Sequence, residues 1–304
     1  MHWWGLDPFR VELTGRGSRS TRMVLELAWN PGAGVDASLA AEVLAGTEKP
    51  AQLWAPIGSV ILVAFGAGGH PGVGPAVDVV RELWPAAAMT TLDESVAALV
   101  GAGLDPEPAA CVVVHLDAEH TSVAVVAGRE MVAGALAAGG ARGLAEAVAG
   151  YVRTEYWLKV SLEEAWIAAV DGGAFAPSAS LQAPNPRTLC GTAIAEDGTL
   201  DITQPTGKVM VSPTELRSVL SPAYQPVADL VAQVLRDVPP ETARLAAAGG
   251  LLLTGQHPAG VEEHLAGLSG LSVRRVAASG ARFGQFRVLL DGVDRLFGKP
   301  SSRF

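Results

Sequence analysis

The feature that most constrains the fold is an order of elements that occurs twice along the 304-residue chain. Each half opens with strands in which apolar and polar residues alternate, and then continues with alternating strands and helices. The first half opens at 9–15 and 21–29, and the second opens at 111–127. Such a duplicated layout predicts an α/β fold of two similar lobes with a ligand cleft between them.

The lobe boundaries follow from this order. We expect lobe I to comprise residues 1–110 together with 281–304, and lobe II to comprise 111–280. Many Pro, Gly, Ser and Thr residues after residue 170 predict a peripheral subdomain of lobe II at about 171–225, built on short strands.

Two helices of lobe II have recognisable local signals. Ser161 is a plausible N-cap for a helix over 161–170, with Glu164 placed for a capping box. A second helical stretch begins at Ser212, and Pro222 and Pro226 are expected to interrupt it because proline removes a backbone donor and clashes with the preceding turn.

The composition excludes several classes of protein. A net charge of -9 and only 22 basic residues argue against a nucleic-acid-binding surface, which needs clustered Lys and Arg. Cys111 and Cys190 have no zinc-site or disulfide spacing, so we interpret both as plain thiols in a reducing compartment. No apolar run is long enough to span a membrane, and the N-terminus lacks the pattern of a signal peptide, which predicts a cytoplasmic protein.

The N-terminal sequence MHWW allows one contact with a membrane. Trp3 and Trp4 could lie in a lipid interface, at the inner face of the membrane, because tryptophan favours that environment. An edge strand that covers part of the core is the simpler interpretation, and we prefer it.

The turn within 111–127 holds the sequence HLDAEH, in which acids and histidines stand between apolar runs. Taken alone, such a turn is typical of a surface hairpin with solvated charges. Imidazole and carboxylate also suit zinc, although alternation along a turn directs neighbouring side chains apart. The candidate metal ligands are His115, Asp117, Glu119 and His120, and we prefer the hairpin.

Two long segments resemble the actin-like ATPases, most closely the bacterial MreB cell-shape proteins. Residues 212–255 are similar to the MreB segment that leads to the adenosine loop, including the paired prolines Pro239 and Pro240. Residues 59–108 are similar to the strand and helices that precede the second phosphate loop of that family. The resemblance implies a two-lobed, ribonuclease H-like α/β fold. The short stretch between Gly32 and Ser59 implies a reduced peripheral subdomain in lobe I.

The phosphate loops that the resemblance implies have an unusual composition. The first would begin at Asp7, but the glycine and threonines that should follow are missing. In the second, His115 stands where the family has a magnesium-holding Asp, and Asp117 and Glu119 stand where it has glycines, with Thr121 at a threonine position. Like charges about 4 Å apart at an effective dielectric constant near 20 cost up to about 4 kcal/mol, or roughly three decades in affinity.

The other cleft positions implied by the resemblance are equally altered. Gly140 begins the equivalent of a Gly-Gly-Asp motif, and Trp166 lies in the segment where the family has purine- and ribose-contacting Glu and Lys. Gly255 and Gln256 stand in place of a glycine-rich adenosine loop. Glu94 keeps the position of the family residue that orients the attacking water. Without the resemblance, each residue has a simpler interpretation. Glu94 is an acid at the start of a helix, where the helix dipole favours negative charge. Trp166 is a tryptophan on an apolar helix face.

Two functions remain open from the sequence. The first is an MreB-like scaffold with a degenerate ATP site and no cofactor, which assembles with itself or with another actin-like protein in cell-shape or envelope organisation. The second is a divergent but active ATPase that binds ATP and Mg²⁺, with His115 and Asp117 taking over the magnesium. A sugar-kinase or chaperone relative of the same fold is a weaker third option, since no substrate-specific motif is visible.

Overall fold

The computed structural model describes residues 9–14, 21–27, 57–66, 73–83, 85–104, 110–117, 120–176, 186–195, 199–200, 207–255, 257–276 and 292–297. Within these residues the strands are β1 (Phe9–Thr14), β2 (Thr21–Leu27), β3 (Ile57–Ala64), β4 (Ala88–Asp93), β5 (Ala110–Leu116), β6 (His120–Ala127), β7 (Glu130–Ala138), β8 (Leu158–Val160), β9 (Arg187–Ala193), β10 (Gly207–Val211), β11 (Leu251–Gly255) and β12 (Val273–Arg275). The helices are α1 (Val73–Leu83), α2 (Glu94–Gly101), α3 (Gly140–Tyr156), α4 (Leu162–Asp171), α5 (Pro213–Arg236), α6 (Pro240–Gly249), α7 (Val261–Ser269) and α8 (292–297).

A four-stranded sheet contains the first strands of the chain, in the order β1-β2-β3-β4. β1 and β2 are antiparallel, as the sequence predicts, whereas β2, β3 and β4 are parallel. The residues of β3 from Val60 to Ala64 are buried, with at most 3% of any side chain exposed. Burial on both faces explains why this strand is a continuous apolar run.

A five-stranded sheet has the order β12-β11-β5-β6-β7. β12, β11 and β5 are parallel, and β5, β6 and β7 form an antiparallel meander. The turn from β6 to β7 is tight because Gly128 and Arg129 both have positive φ angles, of 59° and 64°. All seven residues of β5 are buried, so this strand lies at the centre of the structure.

A third sheet has three short antiparallel strands, in the order β10-β9-β8. One of its faces packs on the main hydrophobic core through Leu158, Val160, Leu189 and Val211. Strands β9 and β10 agree with the short strands that the sequence predicts after residue 170, whereas β8 lies before that segment and was not predicted.

The core consists of two clusters. In the larger cluster, α3 and α5 pack against one face of the five-stranded sheet, and α4 packs against α3. The smaller contains Ile61 and Val63 of β3, helix α2, and residues of β5, β6 and β11. Helix α2 therefore packs between the four-stranded and the five-stranded sheets.

Helix α5 corrects one prediction. It is continuous from Pro213 to Arg236 and contains both Pro222 and Pro226, so the predicted interruption is wrong. A complete capping box between Ser212 and Glu215 begins the helix. Each interior proline lowers the stability of a helix by about 3 kcal/mol. Burial of an apolar face of α5 offsets this cost. That face comprises Leu216, Leu220, Tyr224, Val227, Ala228, Val231 and Val234. Residue 225, our expected end of the peripheral subdomain, lies inside this helix.

Several predictions lie outside the described residues. These are the tryptophans Trp3 and Trp4, the reduced subdomain expected between Gly32 and Ser59, and the site positions Asp7, Glu119 and Gln256. None of the described helices is both long and apolar enough to cross a bilayer.

Candidate functional site

The hairpin between β5 and β6 is closed by its own backbone. The amide of Asp117 donates to the carbonyl oxygen of His120 over 2.9 Å, and Leu116 pairs with Thr121. Asp117 and His120 are each 8% exposed, and Thr121 is 4% exposed. For the described residues of this turn, the interpretation as a solvated surface hairpin is therefore wrong, because the rest of the protein covers the side chains of His115, Asp117 and His120.

Two other segments meet this hairpin. Gly255, at the end of β11, pairs with Leu116 and has a φ angle of +91°; a Cβ atom there would lie 2.5 Å from the Leu116 carbonyl oxygen. At the start of α3, the amide of Ala141 donates to the carbonyl oxygen of Asp117 over 2.8 Å, next to Gly140. The structure thus brings together the predicted positions 115, 117, 121, 140 and 255.

Glu94 points into the protein from the first residue of α2. Asp93 caps this helix by accepting from the Ser95 amide, which fixes where Glu94 stands. Only 3% of Glu94 is exposed. Its Oε1 atom accepts a hydrogen bond from the Ser122 hydroxyl over 3.1 Å and lies 3.6 Å from Nε2 of His115. Helix α2 is thereby joined to both strands of the hairpin.

His115 also contacts the neighbouring strand β11. Its Nδ1 atom lies 2.8 Å from the hydroxyl of Thr254, which in turn donates to the carbonyl oxygen of Val114 over 3.3 Å. Only 1% of His115 is exposed. Thr254 therefore holds one side of the buried imidazole, and the Glu94 carboxylate lies near the other side.

The polar network continues beyond β11 through His257. Its Nε2 atom donates to the Thr254 carbonyl oxygen over 2.8 Å, so Nδ1 is the acceptor of the neutral ring and faces the Tyr224 hydroxyl at 3.4 Å. Burial, and then the nearby Arg275 guanidinium, hold the pKa of His257 well below its usual value. Burial also raises the pKa of Tyr224, so both groups are uncharged at neutral pH.

Trp166 lies in the large core cluster and is 8% exposed. It packs with Ala165 and Ala168 on the buried face of α4, which is the apolar helix face considered for it. Cys111 is likewise buried, and burial raises the pKa of its thiol to about 11, so it is an unreactive thiol at neutral pH.

The resemblance implies a magnesium triphosphate at these residues, and the structure shows which groups engage two of them. Magnesium prefers oxygen ligands in an octahedral arrangement, but the imidazole of His115 occupies the relevant position and is bound to Thr254. The carboxylate of Glu94 is engaged by Ser122. Within the part of the chain that the structure describes, no group of three or more His, Cys, Asp or Glu residues could hold a metal ion.

Sequence reasoning missed two members of the network, Ser122 and Thr254. Both are buried, with 4% of Ser122 and 2% of Thr254 exposed. Thr254 is the one hydroxyl residue in the apolar strand β11, whereas Ser122 follows His120 and Thr121 at the polar start of β6. A buried polar group needs a partner, so the isolated hydroxyl of Thr254 was an available signal, while the polar start of β6 did not distinguish Ser122.

Comparisons with known proteins bear on the fold. A profile of the MreB/Mbl protein family matches residues 75–277. No curated protein sequence is significantly similar. The crystal structure of MreB5 of Spiroplasma citri bound to AMPPNP is similar with a TM-score of 0.71, at 18% identity, over 93% of this chain and 81% of that chain.

Two further solved structures are similar. The MamK double helical filament has a TM-score of 0.56 at 14% identity, over 86% of this chain and 74% of that chain. The ethanolamine utilization protein EutJ from Carboxydothermus hydrogenoformans has a TM-score of 0.52 at 15% identity, over 94% of this chain and 89% of that chain. At these identities the similarities show the fold, and they confirm the predicted actin-like α/β architecture.

Proposed function

The chain belongs to the MreB/Mbl family, and we propose that it is a cytoskeletal or scaffold protein of cell shape or envelope organisation that works without binding or hydrolysing ATP. One observation carries the proposal. Glu94 and His115, which stand at the implied water-orienting and magnesium-holding positions, contact each other at 3.6 Å inside the protein.

This contact removes both residues from the roles that the resemblance implies. An attacking water needs a carboxylate that it can reach within hydrogen-bonding distance, whereas Glu94 is buried and accepts from Ser122. Asp117 adds a carboxyl group where a triphosphate would lie, which opposes binding by like-charge repulsion. Both effects favour a cleft that is occupied by the protein's own side chains.

Assembly does not depend on hydrolysis. Filament contacts form when enough surface is buried between subunits, and the similar MamK protein has been solved as a double helical filament. We propose that this protein assembles with itself or with another actin-like protein, in the cytoplasm or at the inner face of the membrane, where Trp3 and Trp4 are the candidate lipid contacts.

Calorimetric titration with ATP and Mg²⁺, combined with a phosphate-release assay, tests the cofactor part of the proposal. We expect no saturable binding at micromolar ATP and no phosphate release above the blank. Micromolar binding with phosphate release would establish the alternative, a divergent ATPase.

A variant that restores the family pattern sharpens this test. The triple substitution His115→Asp, Asp117→Gly and Glu119→Gly should raise ATP affinity at least tenfold, because it restores a magnesium ligand and removes two carboxylates. The control is Glu163→Gln with Asp229→Asn, which removes two exposed acids from helices α4 and α5. An equal gain in the control would show that net charge, and not the hairpin, governs binding.

Sedimentation tests the assembly part. We expect the fraction that pellets at micromolar protein to be the same with and without ATP and Mg²⁺. Pelleting that depends on nucleotide contradicts the proposal directly.

A further inference from the structure

The three-stranded sheet has one basic face. Strands β8, β9 and β10 contain no acidic residue, in a chain whose net charge is -9. Lys159 and Lys208 lie on one face of the sheet, whereas Arg187 lies on the other and pairs with Asp171. Lys159 and Lys208 are exposed on the face away from the core, and neither forms a salt bridge with any residue described here. Within the described part of the chain, no ion pair therefore neutralises the positive charge of this face.

Large apolar side chains are exposed at both ends of the same sheet. Met210 of β10 is 65% exposed, and Trp157, which directly precedes β8, is 54% exposed. The Ile194 amide donates to the Trp157 carbonyl oxygen, and Ile194 pairs with Leu200, which is 42% exposed. Tryptophan, in particular, is enriched among residues that dominate binding energy at interfaces.

The backbone of Trp157 is strained. It ends α3 with φ 52° and ψ 40°, a left-handed conformation that favours glycine at helix ends. Arg129 is the other non-glycine residue with positive φ among the described residues, and the tight β6–β7 turn explains it. No such turn requires a tryptophan at 157. Residues kept in costly conformations and in contact with water are candidates for function.

We propose that this face, defined by Trp157, Lys159, Leu200, Lys208 and Met210 and named here the basic sheet face, binds an acidic, extended segment of a partner protein. Opposite charge favours an acidic partner. The two lysines recognise carboxylates, while Trp157 and Met210 bury apolar side chains of the segment.

The size of the face supports a linear segment. Strands about 4.8 Å apart and about 3.3 Å per residue give a face of roughly 15 by 20 Å, or about 300 Å². A stable interface between folded domains buries about 800 Å² on each partner. An extended segment of about six residues spans the distance from Met210 to Trp157 at the same rise per residue.

Selection of peptides from a random displayed library against the full-length protein tests the proposal. We expect enrichment of acidic sequences that contain apolar residues. Fluorescence polarisation should then show at least tenfold weaker binding of these peptides to two variants. One is Trp157→Gly, and the other is the double variant Lys159→Glu, Lys208→Glu. Glycine suits the left-handed conformation, so Trp157→Gly should keep the protein folded. Leu245→Ala, which truncates a 38% exposed residue on α6, is the matched control and should bind normally.

Several outcomes overturn the proposal. One is enrichment of no acidic peptide, and another is peptide binding that the two variants retain. Binding to vesicles containing phosphatidylserine that is lost in both variants would assign the face to lipid instead. Self-association in analytical ultracentrifugation that Trp157→Gly abolishes would assign it to a second copy. None of these outcomes alters the predictions for ATP binding.

Discussion

The polar network around His115 and the basic sheet face are unusual in opposite ways. The network is polar where protein interiors are mostly apolar, and the sheet face exposes large apolar side chains where most side chains on protein surfaces are polar. In the network, Glu94, His115 and Thr254 are polar and almost fully buried; on the sheet face, Trp157 and Met210 are apolar and mostly exposed. Buried polar groups and exposed apolar patches are the placements that carry information about function.

The difference lies in where each set finds its partners. The network residues contact each other within the chain, between α2, β5, β6 and β11. The residues of the sheet face have apolar area and charge that no described residue covers. The first region is therefore suited to hold the fold together, and the second to bind another molecule.

The largest expected effect tests how closely the network region is packed. Gly255→Ala should destabilise the protein by about 3–5 kcal/mol, because the residue has φ +91° and its Cβ would lie 2.5 Å from the Leu116 carbonyl oxygen. Urea unfolding followed by circular dichroism measures the change. Gly267→Ala in α7, where a Cβ meets no atom within 4 Å, should be stabilising by about 0.5–1 kcal/mol. Similar stabilities for both variants would contradict the packing described here.

Glu94→Ala tests whether this residue is structural. It should lower the free energy of unfolding by about 2–3 kcal/mol, since it leaves the Ser122 hydroxyl and the His115 imidazole buried without that carboxylate. Glu94→Gln should cost less than half as much. The control is Glu263→Ala on the exposed side of α7, which should change the free energy of unfolding by no more than about 0.5 kcal/mol. A change equally small for Glu94→Ala would contradict the structural role of Glu94.

His257 should make stability depend on pH. Because burial holds its pKa in the folded state well below 6.5, below that pH the unfolded chain takes up a proton that the folded protein does not. Stability should therefore fall by up to about 1.4 kcal/mol per pH unit between pH 6.5 and 5 from this residue. His257→Gln should reduce the slope by that amount in urea titrations. Parallel profiles for the two proteins would show that His257 is not held neutral.

Glu215 joins α3 to α5 and should contribute less. Hydrogen bonds from the Ser212 hydroxyl, then from Tyr156 and the Ser212 amide, lower the pKa of Glu215 to about 2. Its contribution is present above the unfolded pKa of about 4.3 and is lost as the pH falls towards 2. Glu215→Gln should destabilise by about 1–2 kcal/mol at pH 7, with a difference that narrows below pH 4.

Thermal unfolding at pH 7 and at pH 3.5 measures this change. Glu241→Gln removes an exposed carboxylate that is paired with Arg244, and it should leave the melting temperature nearly unchanged at both pH values. A pH-independent effect of Glu215→Gln would mean that its carboxylate form is not the stabilising one.

The smallest effect tests the sheet face. Trp157→Gly should raise stability by about 1 kcal/mol, because glycine adopts the left-handed conformation without strain. Trp157→Ala keeps the strained φ and should give no such gain, which makes it the control in differential scanning calorimetry. If Trp157→Gly lowers the melting temperature, the tryptophan stabilises the fold and its exposure needs no partner.

Much of the fold was predictable because local patterns encode it. The apolar runs of β3, β5 and β11 and the alternation in β1 and β2 predict their strands. The cap at Ser161 begins its helix as predicted, and the second helix begins next to Ser212, where the sequence predicts its start. Two strands were missed. β4 is at the edge of its sheet and half exposed, and β8 has three residues, so neither has enough local pattern to distinguish it from a loop.

The sequence alone determined the α/β class, the order of the elements and the replacement of the implied phosphate-loop glycines by acids, since each of these depends on the identity of neighbouring residues. Only the tertiary structure decided that Glu94 meets His115, that Thr254 holds an imidazole 139 positions away in the chain, and that α5 continues through two prolines. Those outcomes depend on which surfaces are buried against each other. A buried polar atom takes whichever hydrogen-bond partner the packing supplies. Burial of an apolar helix face stabilises the helix by more than its interior prolines destabilise it.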